Sequence, residues 1–456
     1  MSFHPARRYS LILLVLVLAL GGCAAPSGSQ PLVRTAQPGD PSSEIAPAAS
    51  PRHAEQPAPI VLKRDSPRDI SSTLAPIIAR AKIPGAAAVV LYGDRIVAEG
   101  VAGVRKKGSD IAITLDDQFE ICSCAKAMTA ALAALLIEDG KLSWASTLGE
   151  IFGDTVTNMN PAWKSVTLQQ LLAHRAGLTD KHLIQLLTSV AFSKSPADQR
   201  RSLVRKLLSH APDLPPGTKA LYTSVDYVLV GAALEKITGR SWEDLMQERL
   251  FRPLGMTTAG FGPPGTAGRV DQPWGHGVRR LLYVPLPGAT DVPIDPGRIS
   301  ADAPLAAAPA GLVHLSVLDW AKFVSWQLRG DPSNPRREVI LLQPDSFAHL
   351  HAPDAREFFM FPSDQKPIPN TGYTSGWFTS TRAWAKGPRP GDAGRVIYHA
   401  GDNGRWNCAV WVAPEIDFAV LVALNRASMW GPCEEAVNAL MREFAPKPEQ
   451  VSQNQN

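Results

Sequence analysis

Ser123 and Lys126 stand three residues apart in Phe119-Glu120-Ile121-Cys122-Ser123-Cys124-Ala125-Lys126-Ala127-Met128, where an extended apolar segment gives way to an alanine-rich helix. Residues i and i+3 share a helix face, so the lysine amine can approach the serine hydroxyl from one turn along. A serine hydroxyl is a poor nucleophile until a neighbouring base takes its proton, and a partly desolvated lysine is neutral often enough to be that base. A helix N-terminus adds its dipole and free N–H groups, which favour an acyl oxygen that becomes negative. The chemistry open to such a pair is acyl transfer through a covalent serine ester.

A second S-x-x-K, Ser363-Asp364-Gln365-Lys366, lies in a polar, proline-rich stretch with no helical pattern and reads as surface loop. The first is followed by Met128, Leu132, Leu135 and Leu136 at helical spacing, then by a glycine stop at Gly140. Two further segments add reactive groups. Pro215-Pro216-Gly217 leads through Tyr222-Thr223-Ser224 into the apolar helix that includes Val228-Leu229-Val230, and His399-Ala400-Gly401-Asp402 closes a short strand.

With these segments the chain resembles the serine β-lactamase and penicillin-binding-protein superfamily, in particular its class C and S12 peptidase branch. That family carries S-x-x-K, then Y-x-N or Y-x-S, then K-T-G or H-x-G, in the order met here as Ser123-Cys124-Ala125-Lys126, Tyr222-Thr223-Ser224 and His399-Ala400-Gly401. Thr167 to Leu178 is similar to its "T-x-x-x-L-L-x-H-x-x-G-L" segment, Pro309-Ala310-Gly311-Leu312 with Asp319 to Phe323 to its "P-A-G-G-L…D-L-A-R-F" helix, and Tyr373 to Trp377 to its "Y-G-L-G-W" strand. The resemblance implies that Ser123 attacks a carbonyl to form an acyl-enzyme, with Lys126 and Tyr222 sharing the proton. A tyrosine acts as a base only if nearby cations, here Lys126 and His399, favour its phenolate. The oxyanion would sit between the backbone N–H groups of Ser123 and Asp402, with Gly401 keeping that strand edge open for substrate.

Two departures bear on the substrate. Ser224 replaces an asparagine that many class C enzymes use to hold a substrate amide, and His399 replaces a lysine whose fixed charge meets a substrate carboxylate. Both resemble the esterase, peptidase and amide-hydrolase members. The expected activity is a serine hydrolase for a small ester, an amide or a D-amino-acid peptide, cell-wall-derived peptides included, with β-lactam turnover weak or absent. The alternative is a non-catalytic or slowly acylating penicillin-binding protein, a cell-wall sensor that retains the cleft.

Other motifs carry less. G-x-S-x-G and H-E-x-x-H are missing, as are the class A companions S-D-N and K-T-G. His349-Leu350-His351-Ala352-Pro353-Asp354 imitates a metallo-β-lactamase cluster with the wrong spacing, so neither a metal nor any other cofactor is expected. Cys122 and Cys124 read as small buried thiols beside the nucleophile. Trp274, Trp377, Trp406 and Trp411 either line an apolar pocket or pack the core.

Positioning these groups takes strands at both ends of the chain and helices between. Ala86 to Val101 reads as two strands around Tyr92-Gly93-Asp94, and Cys408 to Val412 with Phe418 to Leu424 as another pair. Helical patterns cover Ala125 to Glu138, Leu168 to Ala173, Ser202 to Ser209, Tyr227 to Thr238, Trp242 to Leu250 and Asp319 to Leu328. The fold expected is α+β: an antiparallel sheet flanked by terminal helices, with an inserted mainly helical subdomain. Residues 69–446 form this hydrolase domain, its α/β part near 69–120 and 305–446 and its helical part near 121–304.

The net charge of +4 and the lack of a basic run exclude nucleic acid as the expected partner. Arg7 and Arg8 precede an apolar run from Leu11 to Leu20 that is too short for a membrane span, and Leu20-Gly21-Gly22-Cys23 resembles a bacterial lipobox. Residues 1–22 are therefore expected to be a lipoprotein signal peptide and Cys23 the lipidated first residue, placing the protein at the periplasmic face of a membrane, the outer one in a Gram-negative cell. Residues 23–68, rich in Pro, Ser and Ala, read as a flexible tether, and 447–456 as a disordered tail. Export would permit disulfides among Cys122, Cys124, Cys408 and Cys433, and the sequence does not choose a pairing.

Overall fold

Two stretches have almost no polar face, Gly85–Tyr92 and Phe418–Leu424, and both are buried along nearly their whole length. Continuous apolar runs of this kind belong at the middle of a sheet covered on both sides. The computed structural model places them there. It describes residues 59–182, 195–277, 280–281, 284–285, 292–298, 301, 303–353, 357–361, 364–427 and 431–446.

The sheet has eight strands: β1 (Arg68–Asp69), β2 (Gly85–Tyr92), β3 (Arg95–Gly103), β4 (Gly372–Tyr373), β5 (Phe378–Thr381), β6 (Arg395–Asp402), β7 (Asn407–Ala413) and β8 (Phe418–Leu424). Their order is β1-β3-β2-β8-β7-β6-β5-β4, antiparallel at every pairing except β1 with β3. Alternation in β7 and β8 divides the core. Val420 and Val422 face Leu74, Ile78, Val437 and Leu440 of two covering helices, α1 (Ser71–Ala81) and α8 (Gly431–Phe444). Val410 and Leu421 face the opposite way, toward the larger core that holds the remaining long helices.

Those helices are α2 (Ala125–Glu138), α3 (Leu168–Leu172), α4 (Pro196–Leu208), α5 (Ser224–Thr238), α6 (Val317–Gly330) and α7 (Pro344–His351). Helix α2 is buried without a break from Ala125 to Leu136, which is how a helix at the centre of a domain reads: apolar on all sides. Lys126 belongs to that buried run. The bounds of α2 match the sequence reading, while α4 starts earlier, at Pro196, where Ser195 caps it by accepting from Asp198 N. The helix expected over Trp242 to Leu250 is α-helical only from Trp242 to Met246 and continues as a π-helical turn, Gln247–Phe251.

The architecture is α+β, as expected. Part of the presumed tether is tied to the sheet: Lys63 bridges Arg95, Arg64 pairs with Glu99 and β1 lies along β3, so ordered chain begins before residue 69. The signal segment 1–22, Cys23, most of the tether, Ser363 and the tail 447–456 lie outside the described residues. Among the described residues no helix is long and apolar enough to cross a membrane.

Candidate active site

Ser123 sits in a short 3-10 turn, Cys122–Cys124, that leads directly into α2. Cys122 holds a φ of 46°, a left-handed conformation that a cysteine adopts only under constraint from its surroundings. The constraint is backbone crowding. Strand β6 passes so close that a Cβ on Gly401 would lie 2.5 Å from Cys122 Cβ and 2.8 Å from Ser123 N. On the other side Gly376, at φ +85°, leaves no room for a Cβ against Ala127 Cα, 2.6 Å away. Gly401 therefore has a reason the sequence did not reveal: it lets the strand reach the nucleophile's own backbone.

One turn along, Lys126 is fully buried, and its Nζ lies 3.1 Å from Ser123 Oγ, 3.4 Å from Ser224 Oγ and 2.7 Å from the Ala310 carbonyl oxygen. Burial pushes its pKa down to about 7, opposed chiefly by the negative charge of Asp180. A neutral amine has two N–H groups and one lone pair. If the N–H groups go to Ala310 O and Ser224 Oγ, the lone pair is left for the Ser123 proton.

Tyr222 follows the short strand Ala220–Leu221, which pairs in parallel with Phe358–Phe359. Its backbone N donates to Phe359 O at 3.1 Å, and the preceding Leu221 N donates to His174 O at 2.9 Å. The phenol lies beside Ser123, and Lys126 Nζ stands 5.0 Å from the ring centroid. Burial pushes this phenol well above its ordinary value, with the Ser123 contact opposing only in part. The condition for a phenolate is therefore not met: neither Lys126 nor His399 supplies the fixed cation it would need, because desolvation disfavours charge on all three groups. His399 is driven to about 3 by burial and by Lys126, and it is 1% exposed. Its Nδ1 lies 2.8 Å from the Ala400 oxygen and its Nε2 3.4 Å from Tyr373 Oη, so it forms a neutral wall of the site.

Ser224 is the first residue of α5, whose N-cap Thr223 accepts from Val225 N at 3.2 Å. Asp402 ends β6 beside Gly401, and its carboxylate accepts from Gly404 N at 2.7 Å. The structure thus gathers Ser123, Lys126, Tyr222, Ser224, His399 and Gly401 around one point, with Asp402 next along the strand. Asp180 and the buried pair His174–Asp226 were given no role from sequence. Asp180 lies at the rim beside Thr223 and Ser224, where burial raises its carboxyl and these two residues oppose the rise. His174 was visible only as part of a longer motif, and nothing in the sequence marks Asp180.

The four described cysteines are free thiols. Cys124 and Cys408 bring their sulfurs to 3.5 Å, and Cys408 Sγ donates to Ile121 O at 2.8 Å, so thiols fill the space behind the nucleophile turn. His351 is buried against Asp331 and Gln327, while His349 stacks on Trp144 and contacts Gln169, so the two face different partners. Among the described residues no three His, Cys, Asp or Glu side chains could hold a metal ion. Trp377 and Trp406 are core residues at 1% exposure, Trp411 stacks on Tyr398, and Trp274 lies under the Lys106 ammonium.

A family model described as beta-lactamase matches residues 70–440. Penicillin-binding protein 4 of Amycolatopsis lactamdurans is 28% identical over 248 residues, 54% of this chain and 60% of that one. The chain spans less than two thirds of the length of the curated relatives it matches. Among solved structures, D-alanine carboxypeptidase AmpC from Burkholderia cenocepacia superimposes with a TM-score of 0.61 at 20% identity, over 82% of this chain and 97% of that one. A D-stereospecific amidohydrolase from Streptomyces sp. does so at 0.58 and 19% identity, over 81% and 96%.

Proposed function

This chain belongs to the beta-lactamase family, and on that premise we propose that it is a serine hydrolase that forms an acyl-enzyme on Ser123. The observation that carries the reading is the fully buried Lys126 amine, 3.1 Å from the serine oxygen with its other partners already placed. As Ser123 Oγ attacks the acyl carbonyl, its proton passes to Lys126 Nζ. The oxygen that becomes negative is held by the backbone N–H groups of Ser123 and Asp402, each such donor being worth roughly 3 kcal/mol. Collapse of the tetrahedral species expels the leaving group, which takes a proton from the Tyr222 phenol; Lys126 restores the phenol. Water then attacks the acyl-serine by the same route in reverse.

The substrate class follows from what the site lacks. His399 is neutral near pH 7, so it offers no fixed charge to a substrate carboxylate, and the short Ser224 is already engaged with Lys126. A small ester, an amide or a D-amino-acid peptide without a free carboxylate beside the scissile bond fits better than a penicillin, whose carboxylate would go unpaired at these positions. The names of the two structural neighbours, a D-alanine carboxypeptidase and a D-stereospecific amidohydrolase, support including D-amino-acid amides and peptides. The N-terminal lipobox pattern supports export and anchoring of the domain to the periplasmic face of a membrane by Cys23.

A panel of p-nitrophenyl esters, D-amino-acid amides and a chromogenic cephalosporin tests the reading. Turnover of an ester or amide that vanishes in Ser123→Ala, with the cephalosporin turned over slowly or not at all, is expected. Efficient cephalosporin turnover contradicts the substrate class, and absence of any turnover favours the non-catalytic binding protein.

A further inference from the structure

Behind Tyr222, away from the nucleophile turn, lies a polar pair with no access to solvent. His174 and Asp226 are each 1% exposed, and Nδ1 of the histidine is 2.8 Å from Oδ2 of the aspartate. The His174 ring is wedged among tyrosines, its centroid 4.7 Å from that of Tyr222, 4.6 Å from Tyr373 and 5.3 Å from Tyr227. Its backbone is equally committed: φ is +57°, and its carbonyl accepts from Leu221 N, one residue before Tyr222. Among the described residues, His174 Nε2 and Asp226 Oδ1 have no hydrogen-bond partner. Buried polar atoms left this way are costly and call for a compensating role.

We propose that His174 and Asp226 are positioning residues for proton transfer at Ser123: Asp226 accepts from His174 Nδ1–H and fixes the ring, and the ring holds Tyr222. The inference rests on the serine-hydrolase reading. The other titratable groups around the pair are Lys126, Asp180, His399, Tyr222, Tyr227 and Tyr373. Burial and the nearby Lys126 hold His174 neutral, so its Nδ1 donates only if that nitrogen carries the single proton. Burial and the nearby Asp180 push the Asp226 carboxyl up, opposed only in part by Lys126, so the buried pair carries no fixed charge.

The test is the second-order rate at which a fluorophosphonate labels Ser123, followed from about pH 5 to about pH 9. Asp226→Leu removes the hydrogen-bond partner of His174 Nδ1, whereas Asp226→Asn keeps an acceptor for Nδ1–H. The labelling plateau should fall at least about tenfold in Asp226→Leu and be largely recovered in Asp226→Asn, with the acid limb retained in both. A wild-type plateau in Asp226→Leu, or no recovery in Asp226→Asn, overturns the positioning role of the aspartate. His174→Asn tolerates the left-handed backbone and removes the ring, so the plateau should fall at least about tenfold with the limb retained. A wild-type plateau in that variant overturns the positioning role. Should either variant fail to fold, 15N-histidine NMR of the wild-type chain decides: the neutral Nδ1–H tautomer at His174 is expected, and an Nε2–H tautomer or an imidazolium contradicts the pair as described. Absence of Ser123 labelling in the wild type would instead contradict the hydrolase reading, and the tautomer would still report on the pair.

Discussion

Lys126 can act as a base near neutral pH because it is buried, and that fixes the sign of the pH dependence. Its pKa of about 7 lies far below the ordinary lysine value because the charged form is desolvated. Below about pH 7 the amine holds its proton and cannot take that of Ser123, so kcat/KM should rise with pH through about 7 and level off above. A profile flat down to about pH 5 would contradict this assignment. Lys126→Arg keeps a permanent cation in the site and should cost at least about a hundredfold in kcat, read on any ester the wild type turns over. Gly401→Ala should fold yet lose activity by at least about a hundredfold, because the added methyl displaces the turn that carries Ser123. The sequence made Ser123, Lys126 and Tyr222 legible through residue type and spacing. It could not reveal the protonation states, since these depend on burial by residues such as Tyr373 and Phe378 that are remote along the chain.

At the scale of elements, one buried guanidinium links several segments of the helical part. Arg200 of α4 reaches Glu235 of α5 at 2.6 Å and Glu243 at 2.7 Å, and donates to the carbonyls of Leu305 and Ala306. Its side chain is wholly buried, so Arg200→Ala leaves two carboxylates without their partner and should destabilise the fold by about 3–5 kcal/mol, read as a lower urea midpoint. An unchanged midpoint would mean that water replaces the guanidinium without cost. Sequence periodicity located β2, β3, β7, β8 and α2 well, because each has a regular apolar pattern. It did not bring out α1 and α8: α1 carries Pro76 in its interior, and α8 opens on Gly431-Pro432 with charged residues after it. Pairing is a further blind spot, since nothing local announces that Arg68–Asp69 joins β3 in parallel across thirty residues.

For the molecule as a whole, the sheet order explains how distant segments become one site. The 3-10 turn ahead of α2 carries Ser123, the proposed nucleophile, and α2 carries Lys126, its proposed base. Strand β6 brings Gly401 against them, Tyr222 follows the short strand before α5 and Ser224 starts α5, so the fold converges on a single turn. The N-terminal pattern adds a cellular prediction: the full-length chain expressed in a bacterium should partition into detergent with a diacylglyceryl-modified Cys23, and Cys23→Ser should abolish that modification. An unmodified mature terminus cut after Ala24 or Ala25 would contradict lipidation. The central claim is the acyl-enzyme at Ser123, and intact-mass spectrometry after exposure to a fluorophosphonate tests it most directly. A single adduct per chain, mapped to Ser123 and absent in Ser123→Ala, is predicted. No adduct, or one that persists in Ser123→Ala, would contradict the account.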